Sequence, residues 1–343
     1  MRIRIISYEE VSSWILGKFV LKMQENLQSL GIESNYGNTA DPTADINHHV
    51  MNWGYKGQKS SIDTLMVTHV ESLGKLNLLK DQLKVARLGI CMSAETVARM
   101  KAGGIPGDRL TYVNPAHDEV LKPRKFVIGI TSRTYPDGRR KEDNLVRIAE
   151  SIPAEYFEFR IMGSGWNAQV EKLRALGFEV QYNEGFDRTL YLQLMSSLDY
   201  YLSFSWDEGS MGFVDALSAG VRTLSTPQGF HLDAIGGLTH PLHTIDVATQ
   251  VLNQAAQERA SRVSAVSEWT WKNYTLKHVG IWRYLLGQEP AMPAPGFGQN
   301  DSDSASQPDV RIDKTRFYLQ LMGNHLKFKG QEYRGKIKRR LGI

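Results

Sequence analysis

The residues with the clearest chemical potential lie between Ser203 and Gly220, where an apolar strand ends in two acids, Asp207 and Glu208. Glycine and serine residues follow the acids, and a helical pattern begins after them. Backbone N–H groups at the start of a helix suit a phosphate, and glycines permit its close approach. Carboxylates beside a phosphate fit best when they accept hydrogen bonds from sugar hydroxyls. The stretch therefore indicates a sugar-diphosphate site; the alternative is an ordinary strand–turn–helix corner with solvated acids.

A second predicted strand end carries a cluster of cations. Residues 129–144 contain a strand end with glycine and hydroxyl residues, followed by Arg133, Arg139, Arg140 and Lys141. Such cations could neutralise a diphosphate leaving group, in place of the metal ion that other transferases use. The alternative is a solvated basic loop.

A glycine pair, Gly163 and Gly165, follows a third predicted strand. A lone Gly-x-Gly is a weak signal for a phosphate loop, because any tight turn between a strand and a helix can contain it. The pair lacks the third glycine of the dinucleotide fingerprint, which disfavours a dehydrogenase.

Histidines occur as the pair His48–His49 and as His69, at predicted strand ends where a side chain could reach a cleft. Adjacent histidines suggest a metal site, but no HExxH motif or spaced Cys/His set accompanies them. A hydrogen-bonded structural histidine is the default interpretation for each.

The secondary-structure elements that position these residues alternate along the chain: short apolar runs are followed by longer helical patterns. This alternation predicts parallel-sheet α/β architecture. The predicted strands are 3–7, 45–50, 64–68, 88–92, 110–113, 125–131, 158–163, 179–182, 200–203 and 222–225. The predicted helices are 11–30, 144–151, 168–176, 189–197 and 214–219. Pro115 and Pro123 mark a hinge between two similar halves, residues 1–118 and 119–287. Residues 288–310 have the composition of a flexible linker, and residues 311–343 form a basic, helix-capable tail.

Composition indicates a globular protein with 41% hydrophobic and 23% charged residues. No run reaches the roughly 18 apolar residues that a transmembrane helix needs. The first residues resemble a strand rather than a signal peptide, and the single cysteine, Cys91, excludes an intramolecular disulfide. We therefore expect a cytoplasmic location and no cysteine-based zinc site.

The net charge of +4 is unevenly distributed. Residues 311–343 hold ten Lys/Arg and two acids, so the tail carries +8 and residues 1–310 carry −4. Because the tail also contains apolar residues, it suits an anionic membrane surface and predicts a peripheral location; the alternative is a solvated or oligomerising helix. The body offers no basic-aromatic platform, so no nucleic-acid partner is expected.

A series of motifs follows one another in a fixed order along the chain. They are Cys91–Glu95, Gly104–Ile105, Val113–Asp118, Ile161–Gly165, Gly185–Phe186, Tyr191 with Leu198–Asp199, Ser205–Gly209, Asp215–Gly220, Val221–Thr226, and Ser267–Lys272 with Tyr284. In order and spacing they resemble the retaining glycosyltransferases of family 4, over residues 85–287 closely and over the first 80 residues loosely. The resemblance implies a GT-B fold, in which two Rossmann-like domains, 1–118 for the acceptor and 119–287 for the donor, carry parallel sheets facing a cleft.

The resemblance also implies the roles of individual residues. It places Arg133 and Lys141 on the donor diphosphate, Asp215 on the ribose and His69 near the anomeric centre. The implied donor-binding residues are Arg133, Lys141, Gly163, Gly165, Gly209, Ser210, Met211, Gly212 and Asp215, with the amides of residues 209–212 on the phosphate. The implied catalytic residues are His69 and either Glu208 or Asp207. The family leaves seven residues between its two acids; Asp207 and Asp215 have that spacing, whereas Glu208 matches the motif but is followed by six.

The implied function is transfer of a sugar, with retention of its anomeric configuration, from a nucleoside-diphosphate sugar to a glycan, glycolipid or lipid-linked acceptor in cell-surface polysaccharide synthesis. No cofactor or metal is expected, because the cations take the place of a metal ion. Two alternatives remain open: a sugar-nucleotide epimerase of the same fold, and a catalytically degenerate protein that binds nucleotide sugars.

Overall fold

The computed structural model describes residues 1–12, 14–57, 61–297 and 311–341, with the backbone alone for residues 333–341. The strands are β1 (Arg2–Ile6), β2 (Glu33–Gly37), β3 (Ile46–His49), β4 (Ile62–Val67), β5 (Leu88–Cys91), β6 (Leu110–Tyr112), β7 (Phe126–Ile130), β8 (Phe157–Met162), β9 (Glu179–Asn183), β10 (Tyr200–Ser203), β11 (Arg222–Ser225) and β12 (His240–Pro241). The α-helices are α1 (Ile15–Ser29), α2 (Leu73–Gln82), α3 (Ala94–Ala102), α4 (Asp143–Ala149), α5 (Asn167–Ala175), α6 (Arg188–Ser197), α7 (Met211–Ser218), α8 (Ile245–Ser264), α9 (Trp271–Leu285) and α10 (Lys314–Leu341).

The chain divides into two compact units, Met1–Val120 with Ser267–Ile343, and Leu121–Val266. The first unit contains a parallel sheet in the order β2-β1-β3-β4-β5-β6, and the second a parallel sheet in the order β12-β11-β10-β7-β8-β9. Every residue of β3, β5 and β10 is buried, as expected for central strands covered by helices on both faces. The predicted α/β class, with two Rossmann-like parallel sheets, is confirmed.

Residues 267–287 belong to the first unit, although the sequence interpretation assigned them to the second. Helix α9 packs on α1, and the Trp271 ring meets Phe19 edge-on at a centroid distance of 5.1 Å. The Trp271 indole N–H also donates a hydrogen bond of 2.9 Å to Asp118, and Asp118 forms an ion pair with Lys18. The buried aromatic face of α9, which includes Trp282, therefore completes the core of the first unit.

The tail is helical, as predicted, but its first turns are packed against the first unit. Phe317 and Leu321 are buried in one cluster with Leu76 and Leu79 of α2. Within the predicted linker, the Gly296 N–H donates to the Tyr112 carbonyl; residues 298–310 lie outside the described residues. None of the helices that the structure describes is long and apolar enough to cross a membrane.

The paired histidines are interior groups of the first unit. His48 Nδ1 lies 3.0 Å from Thr64 Oγ1, and His49 Nδ1 lies 2.8 Å from the Tyr8 hydroxyl. Both side chains are fully buried, which agrees with a structural role.

His48 also contacts two groups of α9, with ring centroids 5.1 Å from His278 and 5.5 Å from Trp282. The Nε2 atoms of both histidines and the Trp282 indole nitrogen are buried without a hydrogen-bond partner. Burial lowers the pKa of His278 to about 4 and, with the neighbouring His278, holds the pKa of His48 well below its usual value. Both imidazoles are therefore neutral in the folded protein near neutral pH.

These pKa shifts predict a loss of stability in acid. A histidine whose pKa is lowered by folding binds a proton more readily when unfolded, so the free energy of unfolding falls as the pH drops from 6.5 towards 4. Protonation of His278 alone should lower the free energy of unfolding by on the order of 3 kcal/mol across this pH range. The variant His278→Leu should therefore show a flatter dependence of stability on pH. The measurement is the free energy of unfolding in urea across that pH range.

His243→Leu is the control, because His243 is exposed in the second unit and should leave the acid slope unchanged. An acid slope that is the same in His278→Leu and in the unmodified protein would contradict the prediction.

Candidate functional site

The second unit contains a cavity of about 460 Å³ at the carboxyl ends of its strands. Its lining residues are Thr131, Ser132 and Arg133 after β7, Met162, Gly163 and Ser164 at the end of β8, Glu184 and Phe186 after β9, Tyr191 in α6, and Met211, Gly212 and Asp215 in α7. Strand β7 lies between β8 and β10, so the order of strands along the chain reverses beside it. Ligands of open parallel sheets bind at such a switch point.

Glycine is required at Gly212, where α7 begins. A Cβ atom there would lie 2.1 Å from Thr131 Oγ1 and 2.3 Å from the Tyr201 hydroxyl oxygen. The first turn of α7 therefore lies directly against the ends of β7 and β10. The Tyr201 hydroxyl bonds to Ser210 Oγ at 2.7 Å and accepts a hydrogen bond of 3.2 Å from Thr131, which joins these segments.

Gly163, at the end of β8, permits a second close approach, between its own backbone and that of Ser132. Its φ of +132° is rare for residues with a side chain. A Cβ atom there would lie 2.3 Å from the Ser132 carbonyl oxygen. Gly165, the other half of the predicted pair, has a φ of +91° and lies against the Thr134 side chain, outside the cavity lining.

The Asp215 side chain is oriented by Tyr191, a residue of the motif series for which the sequence predicts no role. The Tyr191 hydroxyl donates a hydrogen bond to Asp215 Oδ2. Burial and the Asp215 carboxylate raise the pKa of Tyr191, so the phenol keeps its proton and remains a donor. The Phe186 ring, 73% exposed, lies 5.4 Å from the Tyr191 ring. The cavity therefore combines an oriented carboxylate with an exposed aromatic face.

The two adjacent acids have different surroundings. Asp207 forms an ion pair with Arg140, with 3.1 Å between Oδ2 and Nη2, and accepts hydrogen bonds from the Gly209 N–H and from Gln228. The side chains of Arg140 and Asp207 are only 10% and 13% exposed. Glu208 is exposed. Asp207 is thus engaged in holding its own loop, whereas Glu208 is accessible.

The predicted row of phosphate-binding amides is shorter in the structure. The Gly209 N–H donates to Asp207, and the Ser210 N–H donates to His231 Nε2 at 2.8 Å. His231 Nδ1 lies 3.0 Å from the Thr226 carbonyl oxygen, which fixes the tautomer that leaves Nε2 as the acceptor.

Only the last two of these amides, Met211 and Gly212, lie in the first turn of α7, where N–H groups have no acceptor within the helix. Both residues line the cavity. The helix terminus therefore offers a shorter anion-binding row than the sequence predicted.

The cation cluster after β7 surrounds one aromatic ring. Arg133 and Arg139 each lie 4.7 Å from the Tyr135 centroid, and Arg140 lies 5.6 Å from it. Arg133, with Arg140, lowers the pKa of the Tyr135 hydroxyl. Lys141 is exposed outside the cavity lining, and its φ of +46° is unusual for a residue with a side chain. Of the predicted cations, the structure thus places Arg133 at the cavity.

His69 belongs to the first unit, directly beyond β4. It is exposed, and its backbone has a φ of +56°. In this exposure it differs from His48 and His49, which are buried and hydrogen-bonded.

Several groups at the cavity or its loops carried no sequence motif. Glu184 lines the cavity, while Gln228 and His231 bind the loop that contains Asp207. Only the position of Glu184 two residues after a predicted strand could have drawn attention to it.

Among the described residues, no group of three or more His, Cys, Asp and Glu side chains is arranged to hold a metal ion. Cys91 is buried in the first unit, and burial raises the pKa of its thiol to about 12. The thiol is therefore protonated near neutral pH and is a poor nucleophile.

No family model and no curated protein matches this chain. Similar solved structures include HepE from Anabaena in complex with UDP and glucose, at 12% identity and a TM-score of 0.33, and sucrose-phosphate synthase from Thermosynechococcus elongatus, at 12% and 0.38. The lipopolysaccharide outer core galactosyltransferase WaaB in its apo form is similar at 12% identity and a TM-score of 0.33. Each comparison covers 84% of this chain and 100% of the other. None of these likenesses is close enough to support an inference about function.

Proposed function

We propose that the chain is a glycosyltransferase whose second unit binds a nucleoside-diphosphate sugar. The sugar passes to a hydroxyl of a glycan, glycolipid or lipid-linked acceptor, in cell-surface polysaccharide synthesis. The cavity at the switch point supports the proposal, because a guanidinium, helix N–H groups and an oriented carboxylate line one space. The first two groups suit a diphosphate, whereas the carboxylate would repel phosphate and suits hydroxyl groups.

The diphosphate is assigned to Arg133 and to the N–H groups of Met211 and Gly212. Arg133 lines the cavity, and the cation–π contact with Tyr135 restricts its side chain. Lys141 is kept as a further diphosphate ligand on the family resemblance alone. With these cations and N–H groups, the departing diphosphate needs no metal ion.

The nucleoside is assigned to the part of the cavity lined by Tyr191, Asp215 and Phe186. The Asp215 carboxylate, held by Tyr191, accepts hydrogen bonds from ribose hydroxyls. The exposed ring of Phe186 offers an apolar face for a nucleobase.

The transferred sugar is assigned to Glu208, because Asp207 is already engaged by Arg140 and by its own loop. Gly163 lines the cavity at the end of β8, whereas Gly165 is kept as a donor-binding residue on the resemblance alone. His69 is proposed, on the resemblance, to lie near the anomeric carbon.

The proposed step is substitution with retention. The bond between the anomeric carbon and the diphosphate oxygen breaks, and Arg133 and the helix N–H groups stabilise the negative charge that develops. The acceptor oxygen forms the new bond on the same face of the sugar, and its proton passes to the diphosphate. No nucleophile from the protein is required.

The first prediction concerns donor binding. One nucleoside diphosphate among UDP, GDP, ADP and CDP should bind in the presence of EDTA, measured by calorimetry on the whole chain. Arg133→Ala should weaken that binding about 10- to 100-fold, because it removes a charge-assisted hydrogen-bond donor.

Arg147→Ala is the matched control, since Arg147 is an exposed arginine of α4 in the same unit, outside the cavity lining. Binding of none of the four nucleotides by the folded protein would refute a donor site, and unchanged affinity in Arg133→Ala would remove Arg133 from it.

The second prediction separates the two acids. Glu208→Gln should lower the rate of nucleoside diphosphate release from the donor about tenfold or more, with little change in the melting temperature. Asp207→Asn should instead lower the free energy of unfolding by about 1–3 kcal/mol, because it leaves the buried Arg140 without its counter-charge.

A double-mutant cycle with Arg140→Met checks the origin of that loss. The double variant, Asp207→Asn with Arg140→Met, should lose less free energy of unfolding than the sum of the losses in the two single variants. Strict additivity would contradict the structural role of Asp207, and normal turnover in Glu208→Gln would remove Glu208 from the reaction.

A further inference from the structure

Helix α10 has one face that is docked on the first unit. Phe317 and Leu321 are 4% and 0% exposed in the core of that unit. The Tyr318 hydroxyl donates a hydrogen bond of 3.1 Å to the Gly103 carbonyl, and Asn324 Nδ2 donates one of 2.9 Å to the Glu71 carbonyl. This part of the helix is therefore fixed to the protein.

The opposite side of α10 exposes a second set of apolar side chains. Leu319, Met322 and Leu326 are 65%, 50% and 67% exposed. Their spacing of three and four residues aligns them along one face of the helix. We call them the outer stripe. The contacts of Phe317 and Leu321 prevent the helix from rotating to bury it.

Cations flank the outer stripe. Arg316 and Lys327 lie to one side of it and Lys329 to the other, and all three residues are exposed. The helical backbone continues to Leu341, and the sequence from residue 333 onwards adds five further Lys/Arg. The helix thus combines an apolar line with cations on both sides.

We propose that α10 binds the protein to an anionic lipid surface, with the outer stripe in the interface and the flanking cations on the headgroups. An anionic membrane complements both the charge and the apolar face. A second copy of α10 would place like charges together, and a nucleic acid would leave the stripe in water. The 28 residues of α10 span about 42 Å, so the helix can lie along a surface with one side still held by the first unit.

The test is flotation of the full chain with vesicles of phosphatidylcholine, alone or mixed with phosphatidylglycerol. The protein should float with the anionic vesicles and be released by salt, because screening weakens headgroup contacts. Replacing the outer stripe by glutamine (Leu319→Gln, Met322→Gln and Leu326→Gln together) should weaken binding about tenfold or more. Lys327→Gln with Lys329→Gln should weaken it and reduce its salt dependence.

The matched control replaces exposed apolar residues of the second unit: Leu121→Gln, Ile235→Gln and Leu176→Gln together. It should bind vesicles as the unmodified protein does. Melting temperature and size-exclusion volume show that each variant is folded.

Three results would overturn the proposal. The first is an unmodified protein that fails to float, and the second is an outer-stripe variant that floats equally well. The third is an unmodified protein that is dimeric when the outer-stripe variant is monomeric, which would assign the stripe to self-association. Because none of these measurements uses a nucleotide, their outcome is independent of the donor site.

Discussion

The ion pair between Arg140 and Asp207 organises the loops on which the second unit's candidate site depends. It joins the loop after β7 to the loop after β10, and the neighbouring Trp206 N–H donates to the Arg139 carbonyl. Gln228, from the loop after β11, binds the same carboxylate. Because both charged side chains are almost entirely buried, water screens the pair little, and loss of one partner leaves an uncompensated charge. Three strand ends are thereby held in one arrangement.

That arrangement gives two adjacent acids different surroundings. Asp207 and Glu208 are adjacent acids, and nothing local distinguishes a carboxylate that binds ligand from one that holds its own loop. The distinction depends on Arg140 and Gln228, which only the order of the strands brings near. The Ser210 amide is another case, since its acceptor, His231, lies in a loop without a recognisable motif. The polar residues of this corner could therefore be named from the sequence, but their partners within the fold could not.

The fold was more predictable than the site, for a physical reason. Central strands such as β10 are buried on both faces, so they form short apolar runs that stand out between helices. The strands that were missed are β2, a partly exposed edge strand, and β12, which has two residues. The predicted boundary at residue 287 differs from the division of the structure, in which α9 belongs to the first unit. The family resemblance of Ser267–Lys272 with Tyr284 implies such a closing helix, and the contact between Trp271 and Phe19 is one of the contacts that hold it there.

The return of α9 to the first unit has a consequence for synthesis on the ribosome. The second unit is one continuous segment, Leu121–Val266, inserted between the two parts of the first. All of its strands can pair as soon as that segment has emerged. The first unit, although its sheet is synthesised earlier, lacks Trp271 and Trp282 until the ribosome has passed α9. Because domains generally fold as units during translation, the second unit can complete its core before the first unit does.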